Sequence, residues 1–342
     1  MIEYNKLITD IFSMKMDSFE LFLFIILSLL VSLAIDVVAG ELPTKIHPVV
    51  IIGSLITFFK NKFINIKSRL SGLMLVLSVG ICISLILYVL YLIFSINGIL
   101  LFVFFSLMLS STFSVNMLLK TAVDVKADLD ESLDKARKSV SYLVSRSTDE
   151  LTESFIVSAV IESMTENITD SYVAPIFYYA LFAIAVMLIP FDNQLYWLLL
   201  IPMIYRMFNT LDAMVGYTTD ELKDIGYVAA KMDDVLNYVP ARIAGVYVVI
   251  SAYLLKLDGK NSYKIMMRDA RNCPSPNSGY TMASTAGALN IQLIKKETYI
   301  LGNADKEINK DDISKAVDLS KMAMALFTLT ILILLTLIYV IL

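Results

Sequence analysis

The chain has 342 residues, of which 57% are hydrophobic and 18% are charged, and its mean hydropathy is +0.71. A chain of this length and composition is too apolar for a soluble globular domain, so a lipid bilayer is its expected solvent. The formal net charge of −4 argues against nucleic acid as a partner, because that binding needs a basic surface that displaces counterions from phosphates.

Apolar runs that are long enough to cross a bilayer recur along the chain and predict an all-α, polytopic integral membrane protein. About 20 apolar residues suffice for one crossing, because a helix satisfies its own backbone hydrogen bonds. The predicted crossings are 21–40, two within 70–119 that the SING turn at 95–98 separates, two within 171–205, and one at 322–342.

The charge of the loops predicts their side of the membrane. Residues 41–69 carry five Lys or Arg side chains, and the positive-inside tendency assigns this loop to the cytoplasm. Counting crossings from there assigns 120–170 and 206–242 to the cytoplasm, and 256–321 as well if the short run 243–255 is a buried or re-entrant helix rather than a crossing. We therefore interpret 1–342 as one domain in the cell membrane, with cytoplasmic-face helices and loops that form the site.

The first candidate site segment is VAGELPTKIHPVVIIG at 38–53. Pro43 and Pro48 disfavour a continuing helix, so His47, the only histidine, is expected in an extended turn. Asp36 precedes this turn inside an apolar run, and an ionisable group there is a site hypothesis. The alternatives are a structural histidine and an aspartate that faces interfacial water.

The second segment is IESMTENITD at 161–170, which places Glu162, Glu166 and Asp170 at four-residue intervals. On a helix these carboxylates share one face and repel one another, so an external cation is expected to compensate them. Mg²⁺ that carries phosphate oxygens fits this requirement, and a solvated acidic face is the alternative. STDE at 147–150 fits a capping box and predicts that the helix begins there.

The third segment spans 205–242. Arg206, Asn209 and Asp212 are spaced by three residues, so a helix would place them on one side. Asp234 and Arg242 follow before the next apolar run, and the guanidinium fork of arginine suits phosphate or carboxylate. Structural pairs, Arg206 with Asp212 or Asp234 with Arg242, are the alternative.

The fourth segment is RDARNCPSPNSG at 268–279, followed by the small-residue run ASTAGA. Arg268 and Arg271 flank Asp269, and the two prolines and Gly279 predict a structured loop with a close backbone approach. Two arginines beside a helix N-terminus predict an anion site. A helix packing face would explain the small residues but not both arginines.

Taken in chain order, these segments resemble the adenosylcobinamide-phosphate synthase family of cobalamin biosynthesis, the membrane proteins called CbiB or CobD. The resemblance runs from about Asp36 to Leu293. It is strongest in ESMTENITDSYVAPIFYYAL, in NTLDAMVGY with DDVLNYVPAR, and in RDARNCPSPNSG followed by AGAL. The family commonly has histidine where Cys273 stands and glutamate where Met282 stands. The loss of that acid puts a catalytic role for the Met282 position in doubt.

The resemblance implies ATP-dependent amide bond formation between adenosylcobyric acid and (R)-1-aminopropan-2-ol O-phosphate or a related amino alcohol, with Mg²⁺. Its implied partners are these substrates and the lipid bilayer, and it leaves open a homo-oligomer or an association with other cobalamin-pathway enzymes. Activation of a carboxylate needs metal-held phosphates and cationic side chains, and the amine needs a base. The expected site residues are Glu166, Asp234 and His47 for catalysis, Glu162, Glu166 and Asp170 for the metal, and Arg206, Asn209, Asp212, Arg242, Arg268, Arg271, Ser275, Asn277 and Asn167 for substrates.

Two other functions are open at this point. A transporter of a corrinoid precursor or an ion is suggested by the intramembrane Asp36 and the short run 243–255. A noncatalytic scaffold for other pathway enzymes is the third reading. The clustering of charged residues outside the apolar runs favours the enzyme over the transporter.

Overall fold

The computed structural model describes residues 16–144, 147–189 and 191–342. The regular secondary structure of the described residues is helical apart from one two-stranded hairpin, which confirms the predicted all-α class. Its contacts divide it into two units: the first comprises the chain through Ser114, Pro175–Val235 and Ile331–Leu342, and the second comprises Val115–Ala174 and Leu236–Thr330.

The element bounds follow in chain order. The helices are α1 Ser18–Ala39, α2 Pro48–Phe63, α3 Arg69–Phe94, α4 Gly98–Ser110, α5 Asn116–Glu131, α6 Leu133–Val140, α7 Glu153–Ile168, α8 Ala174–Leu188, α9 Gln194–Val215, α10 Tyr227–Leu236, α11 Tyr238–Leu254, α12 Gly259–Asp269, α13 Gly279–Leu289 and α14 Asp311–Ile341. The strands are β1 Gln292–Lys295 and β2 Tyr299–Gly302.

Among the described residues, six helices are long and apolar enough to cross a membrane, which agrees with the predicted polytopic character. One of them, Pro48–Ile66, was not counted as a crossing in the sequence analysis, where it fell inside the lysine-rich loop. Its apolar residues recur among Ser, Thr, Asn and Lys, so this helix is less apolar than α1 and α3. The side of the membrane that each loop faces therefore stays a prediction.

The hairpin predicted at SING is present, since α3 ends at Phe94 and α4 begins at Gly98. The side chain of Asn97 caps α4 by accepting hydrogen bonds from the amides of Ile99 and Leu100. However, α4 has only 13 residues, or about 20 Å of helix. It is shorter than the roughly 30 Å hydrocarbon core of a bilayer, so the expected second full crossing is not formed by this helix alone.

The segment between α7 and α8 is a π-helical turn at Thr169–Val173. The amide of Ala174 bonds the carbonyl of Thr169, five residues earlier. Pro175 follows and has no amide hydrogen to continue an α-helical ladder, which explains why the wider turn occurs here. As a consequence, the helical spacing assumed for the carboxylates of 161–170 changes at Asp170.

The predicted helix start at 147–150 is wrong, because α7 begins at Glu153 and Thr152 occupies the N-cap position. Residues 148–151 instead form a turn in which the amide of Leu151 bonds the carbonyl of Thr148. Arg137 then donates from Nε to the carbonyl of Leu151 at 3.0 Å. This tertiary contact competes with helix formation, which a local sequence pattern does not reveal.

The run 243–255 lies in α11, which is bent by 45° against α10. Such a bent pair is either one broken crossing or a re-entrant loop, so both readings from the sequence remain.

The second unit has a tightly packed core around α13, whose residues are all buried. A Cβ at Gly287 would lie 2.6 Å from the carbonyl oxygen of Asn261, so the glycine permits α12 and α13 to approach closely. The strands β1 and β2 pair in antiparallel register with Leu293 opposite Leu301, and both leucines are buried. The sequence analysis did not predict this hairpin.

Candidate functional site

Glu162 is a buried candidate carboxylate, with a relative exposure of 5%. Ser158, one turn earlier on α7, donates from Oγ to its Oε1 at 2.6 Å. Tyr299 at the start of β2 donates from Oη to its Oε2 at 2.9 Å. The amide of Ile294 donates to the Ser158 hydroxyl at 2.9 Å. The hairpin therefore docks on α7 through a hydrogen-bond chain that fixes the carboxylate at both oxygens.

The Tyr299 hydroxyl and the Cys273 thiol near Glu162 are kept neutral by burial and by the nearby carboxylates. Burial, followed by the charge and the hydrogen bond of Glu162, raises the pKa of the Tyr299 hydroxyl. Burial raises the pKa of the Cys273 thiol to about 11; a hydrogen bond with Ser278 lowers it, and the carboxylates of Glu166 and Glu162 raise it further. We refer to Glu162, Glu166, Cys273 and Tyr299 as the acidic cluster.

The acidic cluster brings residues of 161–170 beside the loop 273–279, as the predicted shared site requires. The two departures from the family pattern also lie here, since the Sδ atom of Met282 is 3.7 Å from the Tyr299 hydroxyl. Where Cys273 and Met282 stand, the side chains are soft and uncharged. The charge of the cluster therefore comes from Glu162 and Glu166.

A preformed metal cage is not present among the described residues, where no group of three or more His, Cys, Asp or Glu side chains is arranged to hold an ion. Glu162 already accepts hydrogen bonds from Ser158 and Tyr299, and Asp170 lies in the π-helical turn. The residues do fit an ion that arrives with phosphate oxygens, because Mg²⁺ commonly takes only one or two carboxylates from the protein.

Arg268 is committed to the fold rather than presented to a ligand. Its Nε and Nη2 atoms donate to the two carboxylate oxygens of Asp269 at 2.6 and 2.7 Å, and its Nη1 donates to Asn303 at 2.9 Å. Asp269 in turn accepts from the amide of Gly302 at 2.8 Å. The bidentate pair thus fastens the end of α12 to the end of the hairpin. This reduces its capacity for the anion-binding role expected from the sequence.

Arg271 differs from Arg268 because its side chain is exposed and has no ion-pair or hydrogen-bond partner among the described residues. It follows Asp269 in a 3₁₀ turn at Ala270–Asn272. A Cβ at Gly279 would lie 2.0 Å from the carbonyl oxygen of Ala270, so the predicted close backbone approach at this glycine is present. Of the two predicted anion ligands in this segment, Arg271 is the available one.

Arg242 joins α11 to the loop 273–279. Its guanidinium carbon lies 3.4 Å from the ring centre of Tyr238 and 4.4 Å from that of Tyr280. Its Nη1 donates to the Oδ1 atom of Asn277 at 3.2 Å, which positions an amide that is 5% exposed. Such aromatic stacking holds an arginine in one orientation.

The remaining polar candidates of the second unit are engaged with nearby backbone. The amide of Asn277 donates to the hydroxyl of Ser275 at 3.3 Å, which shapes the loop. The side-chain amide of Asn167 donates to the carbonyl of Ser163 at 2.8 Å.

In the first unit, His47 caps α2, and its Nδ1 accepts from the amide of Val49 at 3.2 Å. Burial lowers the pKa of His47, the carboxylate of Glu41 opposes this, and the Arg206 guanidinium adds to it. The ring is therefore neutral near pH 7, and an accepting Nδ1 places its proton on Nε2. A ring in this state has no free lone pair with which to act as the expected base.

Arg206, Asn209 and Asp212 lie along α9 as their spacing predicts. The Nη1 of Arg206 donates to the Oδ1 of Asn209 at 3.1 Å. Its Nε is buried and has no hydrogen-bond partner among the described residues, which marks a place for an acceptor. No ion pair within 4 Å joins Arg206 to Asp212 in the described part of the chain, so the alternative structural pair is not formed.

The three candidate aspartates of the first unit have different surroundings. The Oδ1 of Asp212 lies only 2.0 Å from where a Cβ at Gly216 would stand, so this glycine is needed for the carboxylate to lie against the chain. Asp212 and Asp234 act on each other electrostatically. Asp234 also pairs with Lys231 at 3.5 Å. Asp36, the candidate site residue inside the first apolar run, lies in α1 and is 2% exposed.

Sequence reasoning missed Ser158 and Tyr299, the two hydrogen-bond donors to Glu162. Ser158 stands four residues before Glu162, a spacing that places both on one helix face. In QLIKKETYILG, two short apolar runs flank the polar residues KKET, a pattern that indicates a hairpin. Its docking partner on α7 has no such local pattern.

Comparison with known proteins identifies the chain's relatives. The family model described as CobD/Cbib protein matches residues 29–327. The protein named Probable cobalamin biosynthesis protein CobD from Methanothermobacter thermautotrophicus is 41% identical over 301 residues, which cover 88% of this chain and 95% of that protein. The Cobalamin biosynthesis protein CobD of Listeria monocytogenes is 33% identical over 306 residues, covering 85% and 92%. No solved structure gave a significant match. The family model and the named relatives agree with the resemblance drawn from the motifs. The chain belongs to the CobD/CbiB family.

Proposed function

We propose that this protein is the carbon–nitrogen ligase of cobalamin biosynthesis that joins adenosylcobyric acid to an amino alcohol phosphate, using ATP. Cobalamin biosynthesis itself is the function named for the relatives that align along most of the chain. The ligase assignment depends on the family resemblance and on one observation above all: a buried carboxylate, Glu162, is held in a single orientation beside Glu166.

The reaction needs two bond exchanges. A carboxylate oxygen of the corrinoid attacks the γ-phosphorus of ATP and ADP leaves; the amine then attacks the acyl carbon, phosphate leaves, and the amine loses a proton to a base. Mg²⁺ would neutralise the phosphate charge, and Glu162 and Glu166 are the residues that would hold it with the nucleotide. A fixed carboxylate lowers the reorganisation required during such a step.

The arginines are proposed to bind the anionic groups of the substrates. In the second unit Arg271 presents an exposed fork, and Arg242 orients Asn277. In the first unit Arg206 presents a buried Nε without a partner among the described residues, and Asn209 orients its Nη1. Asp234 is proposed as the base; its ion pair with Lys231 is long, at 3.5 Å, and the Lys231 side chain is 62% exposed.

The assay uses the purified protein with adenosylcobyric acid, the amino alcohol phosphate and Mg·ATP. The expected product is adenosylcobinamide phosphate with one ADP and one phosphate released. Glu166→Gln is expected to lower kcat by at least about 100-fold, since it removes a carboxylate that would hold the metal with the nucleotide. Glu153→Gln, an exposed position in the first turn of the same helix, is the matched control and should retain activity.

A transporter is the second candidate, because the bent pair α10 and α11 and the buried Asp36 are features of transport proteins. Proteoliposomes loaded with a corrinoid distinguish the two functions. Exchange of corrinoid without ATP, together with no cobinamide phosphate in the assay above, would replace the ligase by the transporter. Product formation by wild type and its loss in Glu166→Gln would support the ligase.

A further inference from the structure

An apolar groove of about 510 Å³ lies within the first unit and takes no part in the proposed reaction. Residues of α2, α3 and α4 line it, and Met203 of α9 completes the lining. Its deepest side chains are buried, namely Ile52, Ile83, Leu87 and Phe104. Its rim is exposed.

The rim of the groove is apolar where it is open. Ile86 and Val103 line it with relative exposures of 43% and 48%. They stand on α3 and α4, of which α3 qualifies as a membrane crossing. An opening with such a rim in a crossing helix faces hydrocarbon rather than water.

The groove lies where α4 is too short to cover α3. The 26 residues of α3 extend for about 39 Å, whereas the 13 residues of α4 extend for about 20 Å.

The volume of the groove indicates the size of a ligand. A volume of 510 Å³ corresponds to about 17 groups of the size of a methylene, if each takes about the 30 Å³ share of a water molecule. This is the volume of one long lipid chain.

One charged side chain lines the groove. Lys45 is the single charged side chain among the described residues that line it. It is exposed and forms no ion pair with any residue that the structure describes. The lysine ammonium is a compact point charge that suits a phosphate group. An apolar groove with an unpaired cation in its lining is complementary to a molecule with a long apolar tail and a phosphate head.

We propose that this groove binds one anionic phospholipid, with an acyl chain along α3 and α4 and its phosphate at Lys45. Only one chain fits the volume, so the second chain of the lipid stays in the surrounding bilayer. The binding is independent of the ligase proposal, because none of the acidic cluster, Arg206 or Arg271 lines the groove.

The test measures which lipid the protein retains. Wild-type protein is reconstituted in vesicles of equimolar phosphatidylcholine and phosphatidylglycerol, extracted in detergent, and examined by native mass spectrometry. One bound lipid is expected, enriched in phosphatidylglycerol. Lys45→Ala should lower that enrichment about fivefold, the factor expected of one lysine beside an anionic surface, and Lys45→Arg should preserve it. Lys60→Ala, a lysine on α2 outside the groove, is the control and should leave the enrichment unchanged.

A second variant tests the groove itself. Val103→Trp fills the channel and should abolish retention of both lipids, whereas Leu77→Trp, an equally exposed position on α3 outside the groove, should retain them. Both are checked by their thermal unfolding. The proposal is overturned if wild type retains no lipid, if Lys45→Ala keeps the enrichment of the Lys60→Ala control, or if the retained mass is a second protein chain or another apolar molecule.

Discussion

The hairpin-covered region of the second unit and the α9 region of the first unit both contain buried charged groups, but they differ in whether protein hydrogen bonds satisfy those groups. Around the hairpin, Glu162 and Asp269 are buried and receive hydrogen bonds at both carboxylate oxygens. On α9, the Nε of Arg206 is buried and has no partner among the described residues.

This difference distinguishes groups that stabilise the fold from groups that can bind a ligand. A buried group that protein donors satisfy contributes to stability, and its loss leaves those donors unpaired. A buried group without a protein partner costs stability unless a ligand supplies one. Substitutions around the hairpin should therefore change unfolding, whereas substitutions at Arg206 should change ligand binding.

The largest effect is expected from Asp269→Ala. It removes both acceptors of Arg268 and the partner of the Gly302 amide, so the end of the hairpin loses its attachment to α12. The expected loss is about 2–4 kcal/mol, below that of a fully buried pair because Arg268 is 46% exposed. Thermal unfolding in detergent measures it. Asp220→Ala, which breaks an exposed pair with Lys223, is the control and should have little effect.

A smaller effect is expected from Tyr299→Phe. The ring is kept and one hydrogen bond to the Glu162 carboxylate is lost, which should cost about 1.5–3 kcal/mol of stability. If Tyr299 also positions Glu162 for the reaction, kcat should fall about tenfold with little change in KM. Tyr263→Phe, at an exposed tyrosine of α12, should alter neither quantity. Unchanged unfolding in Tyr299→Phe would remove the hairpin from the role assigned to it.

Arg206→Lys is expected to act on binding and not on unfolding. Lysine keeps the positive charge but has no nitrogen at the position of the arginine Nε. We expect about tenfold weaker binding of ATP or the corrinoid, roughly 1.4 kcal/mol, by titration calorimetry. The unfolding temperature without ligand should stay within about a degree of wild type. A stability loss without a change in affinity would reverse the distinction between the two regions.

The sequence predicted the fold class and the places of most candidate residues, because apolar run length and helical spacing are local properties. Arg206 and Asn209 lie as their spacing predicts, and so does the close approach at Gly279. Three features were not predictable in this way. The start of α7 depends on Arg137, and the phase of Asp170 depends on a π turn before Pro175. One of the two donors to Glu162, Tyr299, comes from a hairpin 137 residues away.

The same reasoning explains why Arg268 and Arg271 were not separated. Both stand three residues apart in a polar segment, and nothing local distinguishes them. Only the position of Gly302 and Asn303 shows that one of the two is used by the fold. A sequence pattern can identify which residue types converge, but long-range contacts decide which of them remain available.

The smallest expected effect concerns His47 and pH. Burial lowers its pKa in the folded state, so the unfolded chain takes up this proton first as pH falls below the ordinary histidine value. Stability contributed by the neutral ring is thus complete above pH 7 and declines as pH falls through 6.5 toward the depressed value. Because the chain has one histidine, His47→Asn, which keeps a helix-capping side chain, should flatten the unfolding temperature between pH 7.5 and 5.5. An equal decline in wild type and variant would show that the ring is not held neutral by its burial beside Arg206.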